Sequence, residues 1–162
     1  MKDERENKSI YRYQFALEQV RYEGQLLWQI FGSFLLAHTV FLAFLLQSTL
    51  GKEQIIGYHL GSFFAAIVGL ILCIPWAASY LRSSAYYIFR MAQAREAEPC
   101  GWNLIKGNGE KFAAGEKVTI GGRTYQIGWL PRVLRTKRSV PLLIMFFGLI
   151  YLSILILNGP WW

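Results

Sequence analysis

The sequence predicts a mainly helical membrane protein that crosses a bilayer three times and carries cytoplasmic helical extensions and one small β-hairpin. Three observations predict this class. The chain contains three long apolar runs that lack any charged residue. Its excess of positive charge lies between the second and third runs, and two short β-forming runs in that same segment flank a pair of glycines.

The apolar runs are residues 25–47, 55–81 and 140–158. About 20 helical residues cross a hydrocarbon core of about 30 Å, so all three runs are long enough to span it. The remaining segments are too short and too charged to enclose three apolar helices in a soluble core. We therefore expect a transmembrane helix at each of these positions.

Residues 1–24 are predicted to be a cytoplasmic helical segment, in which the helix covers residues 9–23 with Ser9 as its N-cap. Apolar side chains recur there at helical spacing, at Ile10, Tyr13, Leu17 and Val20. No glycine or proline precedes Gly24, so we expect this helix to continue into the first span.

A polar stripe follows one side of the first span. Spacing the residues at helical intervals places five polar side chains in or beside one sector: Gln25, Gln29, Ser33, Thr39 and Gln47. Such a stripe is typical of a helix that lines a water-filled path, but it is equally typical of hydrogen bonding between helices. Both interpretations stay open, and the first requires an oligomer, since three helices cannot enclose an aqueous pore.

His38 lies near the middle of the first span and outside this stripe. An imidazole buried in a membrane is costly unless it is paired, and ionisable groups there often carry function. One interpretation is a neutral histidine hydrogen-bonded to another span. The other is a residue of gating or permeation, which adds His38 to the pore-lining candidates.

The second span follows a short outer link, residues 48–54, so the first two spans are expected to form a tight antiparallel hairpin. Small residues recur along it at intervals of four, at Gly57, Gly61, Ala65, Gly69 and Cys73. This spacing lets two helix backbones approach closely, and it is compatible with a homo-oligomer.

The segment 82–139 is predicted to begin as a helix that Pro99 ends, followed by a turn at residues 107–109. Beyond it, Gly121 and Gly122 form the two-residue turn of a hairpin. The predicted register pairs Ile120 with Arg123, Val118 with Tyr125 and Glu116 with Ile127. This register places the apolar side chains on one face.

Charge predicts the orientation. Residues 1–24 carry five basic and five acidic groups, whereas residues 82–139 carry eleven basic and four acidic groups. Basic residues near the ends of spans hold a segment in the cytoplasm. We therefore expect a multi-pass membrane protein with a cytoplasmic N-terminus. The 48–54 link and the 159–162 tail then lie outside.

A basic group in the cytoplasmic segment is predicted to bind anionic lipid headgroups. Its members are Lys117, Arg123, Arg132, Arg135, Lys137 and Arg138. The alternative ligand is a nucleotide or nucleic acid, because several aromatic side chains nearby offer stacking surfaces.

No catalytic, cofactor or metal site is expected. The only histidines are His38 and His59, and no Asp or Glu lies in a span to orient either as a base. Cys73 and Cys100 have no further ligand at metal-binding spacing.

Residues 9–98 resemble the SLATT-type two-span effectors of bacterial conflict systems. The resemblance lies in a cytoplasmic helix entering the first span, a short outer link, a glycine-rich second span and a trailing helix. The entering sequence is Tyr22-Glu23-Gly24-Gln25-Leu26-Leu27-Trp28, and the trailing helix ends at Ala94-Arg95-Glu96-Ala97-Glu98. The resemblance implies a pore-forming effector that a sensor or nucleotidyltransferase partner activates. The hairpin and the third span are departures from that pattern.

Two functions follow from the sequence. The first is an oligomeric pore or membrane-disrupting effector of anti-phage defence, gated through its cytoplasmic segment. The alternative is a non-conducting membrane scaffold or accessory subunit that docks a cytoplasmic partner through residues 82–139.

Overall fold

The computed structural model describes residues 2–50, 56–128 and 136–158, with side chains described for residues 7–47, 61–128 and 137–158. Helices make up most of the described chain. In order, the elements are α1 (Lys2–Leu50), α2 (Ile56–Ala97), a π-helical turn (Leu104–Gly109), α3 (Glu110–Ala114), β1 (Val118–Ile120), β2 (Arg123–Tyr125) and α4 (Thr136–Leu157).

Helix α1 is continuous from Lys2 to Leu50, which confirms that the N-terminal helix runs on into the first apolar run. The predicted start at Ser9 was wrong. Residues 2–8 contain neither glycine nor proline, and their lysines, arginine and glutamates favour helix, so nothing stops the helix at Ser9.

Helix α2 combines the second apolar run with the helix predicted after it and contains Pro75. It ends at Ala97, two residues before Pro99, as expected because a proline disfavours helical geometry in the residue before it. The link between α1 and α2, residues 51–55, lies outside the described residues.

Three helices of the described chain are long and apolar enough to cross a membrane. The qualifying stretches are Asn7–Gln47, Gly61–Ala97 and Lys137–Leu157. The three apolar runs of the sequence thus each form helix, and the predicted mainly helical class with a small hairpin is confirmed at this level.

The hairpin has the predicted register. Val118 pairs with Tyr125, Thr119 with Thr124 and Ile120 with Arg123. The two turn residues, Gly121 and Gly122, have φ values of 57° and 76°. Positive φ at both positions matches a type I′ turn, which glycine adopts without strain. The predicted Glu116–Ile127 pair falls outside this ladder.

The chain divides into two compact units. The helix–hairpin unit comprises Met1–Leu26 and Ser83–Thr136, and the three-helix unit comprises Leu27–Arg82 and Lys137–Trp162. In the helix–hairpin unit, Tyr13, Val20, Ala94 and Val118 are buried. Arg95 and Glu110 form an ion pair at 3.0 Å across that unit.

The three-helix unit has its core between α1, α2 and α4. The buried side chains there are Leu27, Leu45, Ala66, Trp76, Tyr80, Val140, Ile144, Phe147, Tyr151 and Ile154. Large apolar side chains also cover its outside, among them Phe44, Ile74 and Met145. Contiguous apolar surface of this kind is unfavourable in water and stable against lipid tails.

Candidate functional site

The outer face of α1 carries the predicted polar stripe. Within the three-helix unit, the side chains of Gln29, Ser33, Thr39 and Gln47 are all exposed. Gln25, which belongs to the helix–hairpin unit, is exposed as well. The structure therefore turns all five stripe residues away from the interior of their own units.

Thr39 differs from the other stripe residues, because its hydroxyl is satisfied within α1. Its Oγ1 atom lies 2.9 Å from the Leu35 carbonyl oxygen and 2.8 Å from that of Leu36. A threonine bonded to its own helix needs no partner in a membrane. The glutamine side chains are longer and carry two donors and an acceptor, so they are the costly groups on this face.

The same face of α1 contains an apolar stretch that the stripe does not include. Leu36 and Val40 are 66% and 61% exposed and lie between Ser33 and Gln47. Helical spacing puts both in the sector of the glutamines. Apart from Thr39, whose hydroxyl is bonded within α1, the face is consequently polar towards its two ends and apolar in its middle.

His38 is separated from the stripe and lies inside the three-helix core. Its Nδ1 atom is 3.1 Å from the hydroxyl oxygen of Tyr151 on α4, and that hydroxyl lies 3.4 Å from the His38 carbonyl oxygen. The imidazole stacks on the Trp76 ring of α2, with centroids 4.7 Å apart and an interplanar angle of 22°. His38 is therefore hydrogen-bonded to another helix, as the first of its two interpretations expects, and it does not lie with the other pore-lining candidates.

Two buried nitrogens of this cluster have no hydrogen-bond partner among the described residues. They are His38 Nε2 and Trp76 Nε1, although the Leu72 backbone lies close enough to the His38 imidazole to interact with it outside ideal hydrogen-bond geometry. No Asp or Glu occurs in the described parts of the three-helix unit, so no carboxylate there can balance a protonated imidazole. An uncompensated charge inside an apolar core is strongly unfavourable, so these surroundings disfavour a protonated His38.

The small-residue series on α2 contributes to packing at one position above all. A Cβ atom on Gly69 would lie 2.5–2.8 Å from three ring carbons of Tyr151, so only glycine admits that ring. Ala65 and Cys73 pack partly buried against the same core. By contrast, a Cβ atom on Gly61 would meet no atom within 4 Å, and the side-chain surroundings of Gly57 lie outside the described residues.

Sequence reasoning did not single out Tyr151 or Trp76. Both sit in apolar runs, where aromatic residues are common and carry no periodic signal. The available clue was their polar atoms, because a hydroxyl or indole N–H in the middle of a span calls for a partner just as His38 does.

The predicted basic group is only partly placed. Lys117 and Arg123 are exposed on the hairpin of the helix–hairpin unit. Lys137 and Arg138 are exposed at the start of α4 in the three-helix unit. Arg132 and Arg135 lie outside the described residues.

Glu98 organises the loop after α2 in the helix–hairpin unit. Its buried carboxylate accepts hydrogen bonds from the backbone N–H groups of Leu104, Ile105 and Lys106, those of Ile105 and Lys106 at 3.0 and 2.9 Å. Burial raises the pKa of this carboxyl, but the hydrogen bonds and the Lys106 charge lower it by more, so the pKa lies below its ordinary value.

Tyr13 of α1 lies close to this loop and to the Glu98 carboxylate. Tyr13 and Trp102 meet edge to face with ring centroids 5.7 Å apart. Burial and the negative charge of Glu98 raise the pKa of the Tyr13 hydroxyl. Glu98 thus acts as the cap of the π-helical turn, fixing Leu104–Gly109 from six to eight residues upstream.

Among the described residues, no group of three His, Cys, Asp or Glu side chains could hold a metal ion. The His59 side chain lies outside them. Comparisons with protein-family models, curated proteins and solved structures found no match to this chain.

Proposed function

We propose that the chain is a subunit of an oligomeric membrane pore whose subunits turn the outer face of α1 towards a shared aqueous path. The observation that carries this proposal is the exposure of Gln29, Ser33 and Gln47 on a surface that is largely apolar. Polar side chains directed at lipid are costly, and they concentrate where helices meet or water enters. A ring of neighbouring copies provides such surroundings.

The packing of the three-helix unit supports an assembly rather than a single-chain channel. His38, Trp76, Phe147 and Tyr151 fill the space between the three helices. This filled interior leaves the outer surface of α1 as the place for a water path. In the proposed setting the protein is a bacterial inner-membrane effector, with its N-terminus and the helix–hairpin unit in the cytoplasm, where a sensor or nucleotidyltransferase partner would act.

The test compares conduction with assembly in the full-length protein. We expect the protein, reconstituted in liposomes that contain phosphatidylglycerol, to release an entrapped dye. Replacing Gln29 and Gln47 with leucine should abolish release while the native mass in nanodiscs stays that of the wild type. Thr39→Val is the matched control, because that hydroxyl is already bonded within its helix. Release that persists in the double variant would overturn the pore-lining role.

A scaffold is the second candidate, favoured by exposed apolar side chains on the helix–hairpin unit. Trp102, Leu104 and Phe112 are all exposed there. A scaffold would be harmless on expression, would release no dye in any variant, and would copurify with a cytoplasmic partner at fixed stoichiometry.

A further inference from the structure

The tip of the hairpin exposes a face that the described residues of the chain leave uncovered. Ile120 is 56% and Tyr125 48% exposed, whereas Val118 on the same face is buried at 4%. Directly paired residues share a face, so Arg123, opposite Ile120, belongs to it too. Thr119 and Thr124, with hydroxyl oxygens 3.3 Å apart, occupy the other face.

The hairpin is held to its unit at the base and is free at the turn. Val118 is buried, and the Gln126 side chain donates to the Gly115 carbonyl oxygen at 3.3 Å. A Cβ atom on Gly121 or Gly122 would meet no atom within 4 Å. The anchored base fixes the orientation of the strands within the unit, and the open turn leaves the tip accessible to another surface.

We propose that this tip docks on the headgroup region of an anionic bilayer, with Ile120 and Tyr125 inserted and Arg123 on the lipid phosphates. The chemistry on the face is that of a membrane interface: one aliphatic chain, one amphipathic ring and one cation. The charge of the segment is complementary, since residues 82–139 carry eleven basic and four acidic groups.

Chain connectivity favours lipid over a diffusing partner. The segment that carries the hairpin is joined at both ends to helices of membrane-spanning length, α2 and α4. A bilayer surface is then always present at high effective concentration, and docking loses no translational freedom. The proposal depends on membrane insertion of those helices but not on conduction, so it stands or falls separately from the pore.

The test places an environment-sensitive fluorophore on either face of the hairpin. Cys73→Ala and Cys100→Ser remove the native thiols, and Ile120→Cys or Thr119→Cys supplies one labelling site in the full-length protein. Nanodiscs contain either phosphatidylcholine alone or its mixture with phosphatidylglycerol, and a lipid-borne quencher sits at headgroup depth. In anionic discs we expect the emission of a probe at position 120 to shift to the blue and to be quenched. The emission of a probe at position 119 should stay close to that in water.

Charge removal supplies the second measurement. Arg123→Gln should lower the ratio of docked to undocked hairpin about fivefold. Lys117 lies just before β1 and on the opposite face of the hairpin, so Lys117→Gln should lower this ratio less. Equal, water-like emission at positions 119 and 120 in anionic discs would overturn the proposal. So would a shift that appears in neutral discs on addition of a single-stranded oligonucleotide, which would assign the face to nucleic acid.

Discussion

The hydroxyl of Tyr151 on α4 lies 3.1 Å from Nδ1 of His38 on α1, while the ring of the same tyrosine rests on Gly69 of α2. One side chain therefore joins all three helices of the three-helix unit. A hydrogen bond in an apolar interior specifies one arrangement of the helices, because other arrangements leave the imidazole and the hydroxyl without a partner.

The His38–Tyr151 hydrogen bond is expected to give a measurable coupling energy. Tyr151→Phe keeps the ring on Gly69 but leaves the imidazole without its partner, and should cost about 0.5–2 kcal/mol. A double-mutant cycle with His38→Phe, read from unfolding in mixed detergent, should return a coupling of the same order. Strict additivity of the two single variants would show that the two side chains do not interact.

The contact at Gly69 is expected to make α2 sensitive at one glycine and tolerant at another. Gly69→Ala should lower the free energy of unfolding by about 1–3 kcal/mol relative to Gly61→Ala, because the added methyl collides with the Tyr151 ring. The comparison cancels the gain in helix propensity common to both changes. Equal stability of the two variants would contradict the packing of Tyr151 on Gly69.

The Glu98 cap is expected to fail in acid. Because its pKa is lowered in the folded protein, the stability it contributes is complete above the ordinary value of 4.5 and is lost as the pH falls through the lowered pKa. The protection of the 104–106 amides from hydrogen exchange, measured by mass spectrometry and corrected for the intrinsic rate at each pH, should fall on acidification through that range. Glu98→Gln should raise exchange at neutral pH, and Glu96→Gln, an exposed neighbour, should not. Unchanged exchange of the 104–106 amides in Glu98→Gln would show that the Glu98 carboxylate does not stabilise this turn.

The apolar stretch on the outer face of α1 is expected to be the main barrier to conduction in the proposed pore, so that it limits dye release by the wild type without abolishing it. Narrow apolar passages exclude water and ions even where the passage is physically open. Leu36→Asn and Val40→Asn should therefore raise dye release and expression toxicity in the absence of any partner. Ile71→Asn, at an exposed position on α2, serves as the control. A gate elsewhere is indicated if the wild type and both α1 variants release dye at one common rate.

Much of the fold could be read from the sequence, because its strongest signals are local. Uncharged apolar length predicts α1, α2 and α4 without reference to any other residue. The pair Gly121-Gly122 predicts the hairpin register, since both residues must adopt positive φ and the flanking strands then pair in one way. The continuity of α1 across residue 24 follows likewise from the lack of a preceding breaker.

The candidate site was less predictable, because its contacts join distant parts of the chain. His38 and Tyr151 are separated by 113 positions, and no period in either helix connects them. The π-helical turn at Leu104–Gly109 escaped prediction for a similar reason. Its sequence, with Gly107 and Gly109, favours an irregular turn, and the Glu98 carboxylate that stabilises it lies outside it. Leu36 and Val40 could not be singled out from the sequence, because apolar residues are expected at every position of a span.

Water access to the outer face of α1 tests the central claim most directly. The variant Ser33→Cys is made in a cysteine-free background and reconstituted, and its oligomeric mass is checked to be that of the wild type. It is then treated with a charged thiol reagent that does not cross membranes. Ile71→Cys on α2 is the lipid-facing comparison. The pore predicts that the reagent modifies Ser33→Cys rapidly and leaves Ile71→Cys unmodified. Protection of Ser33→Cys to the same degree as Ile71→Cys would contradict an aqueous path along this face.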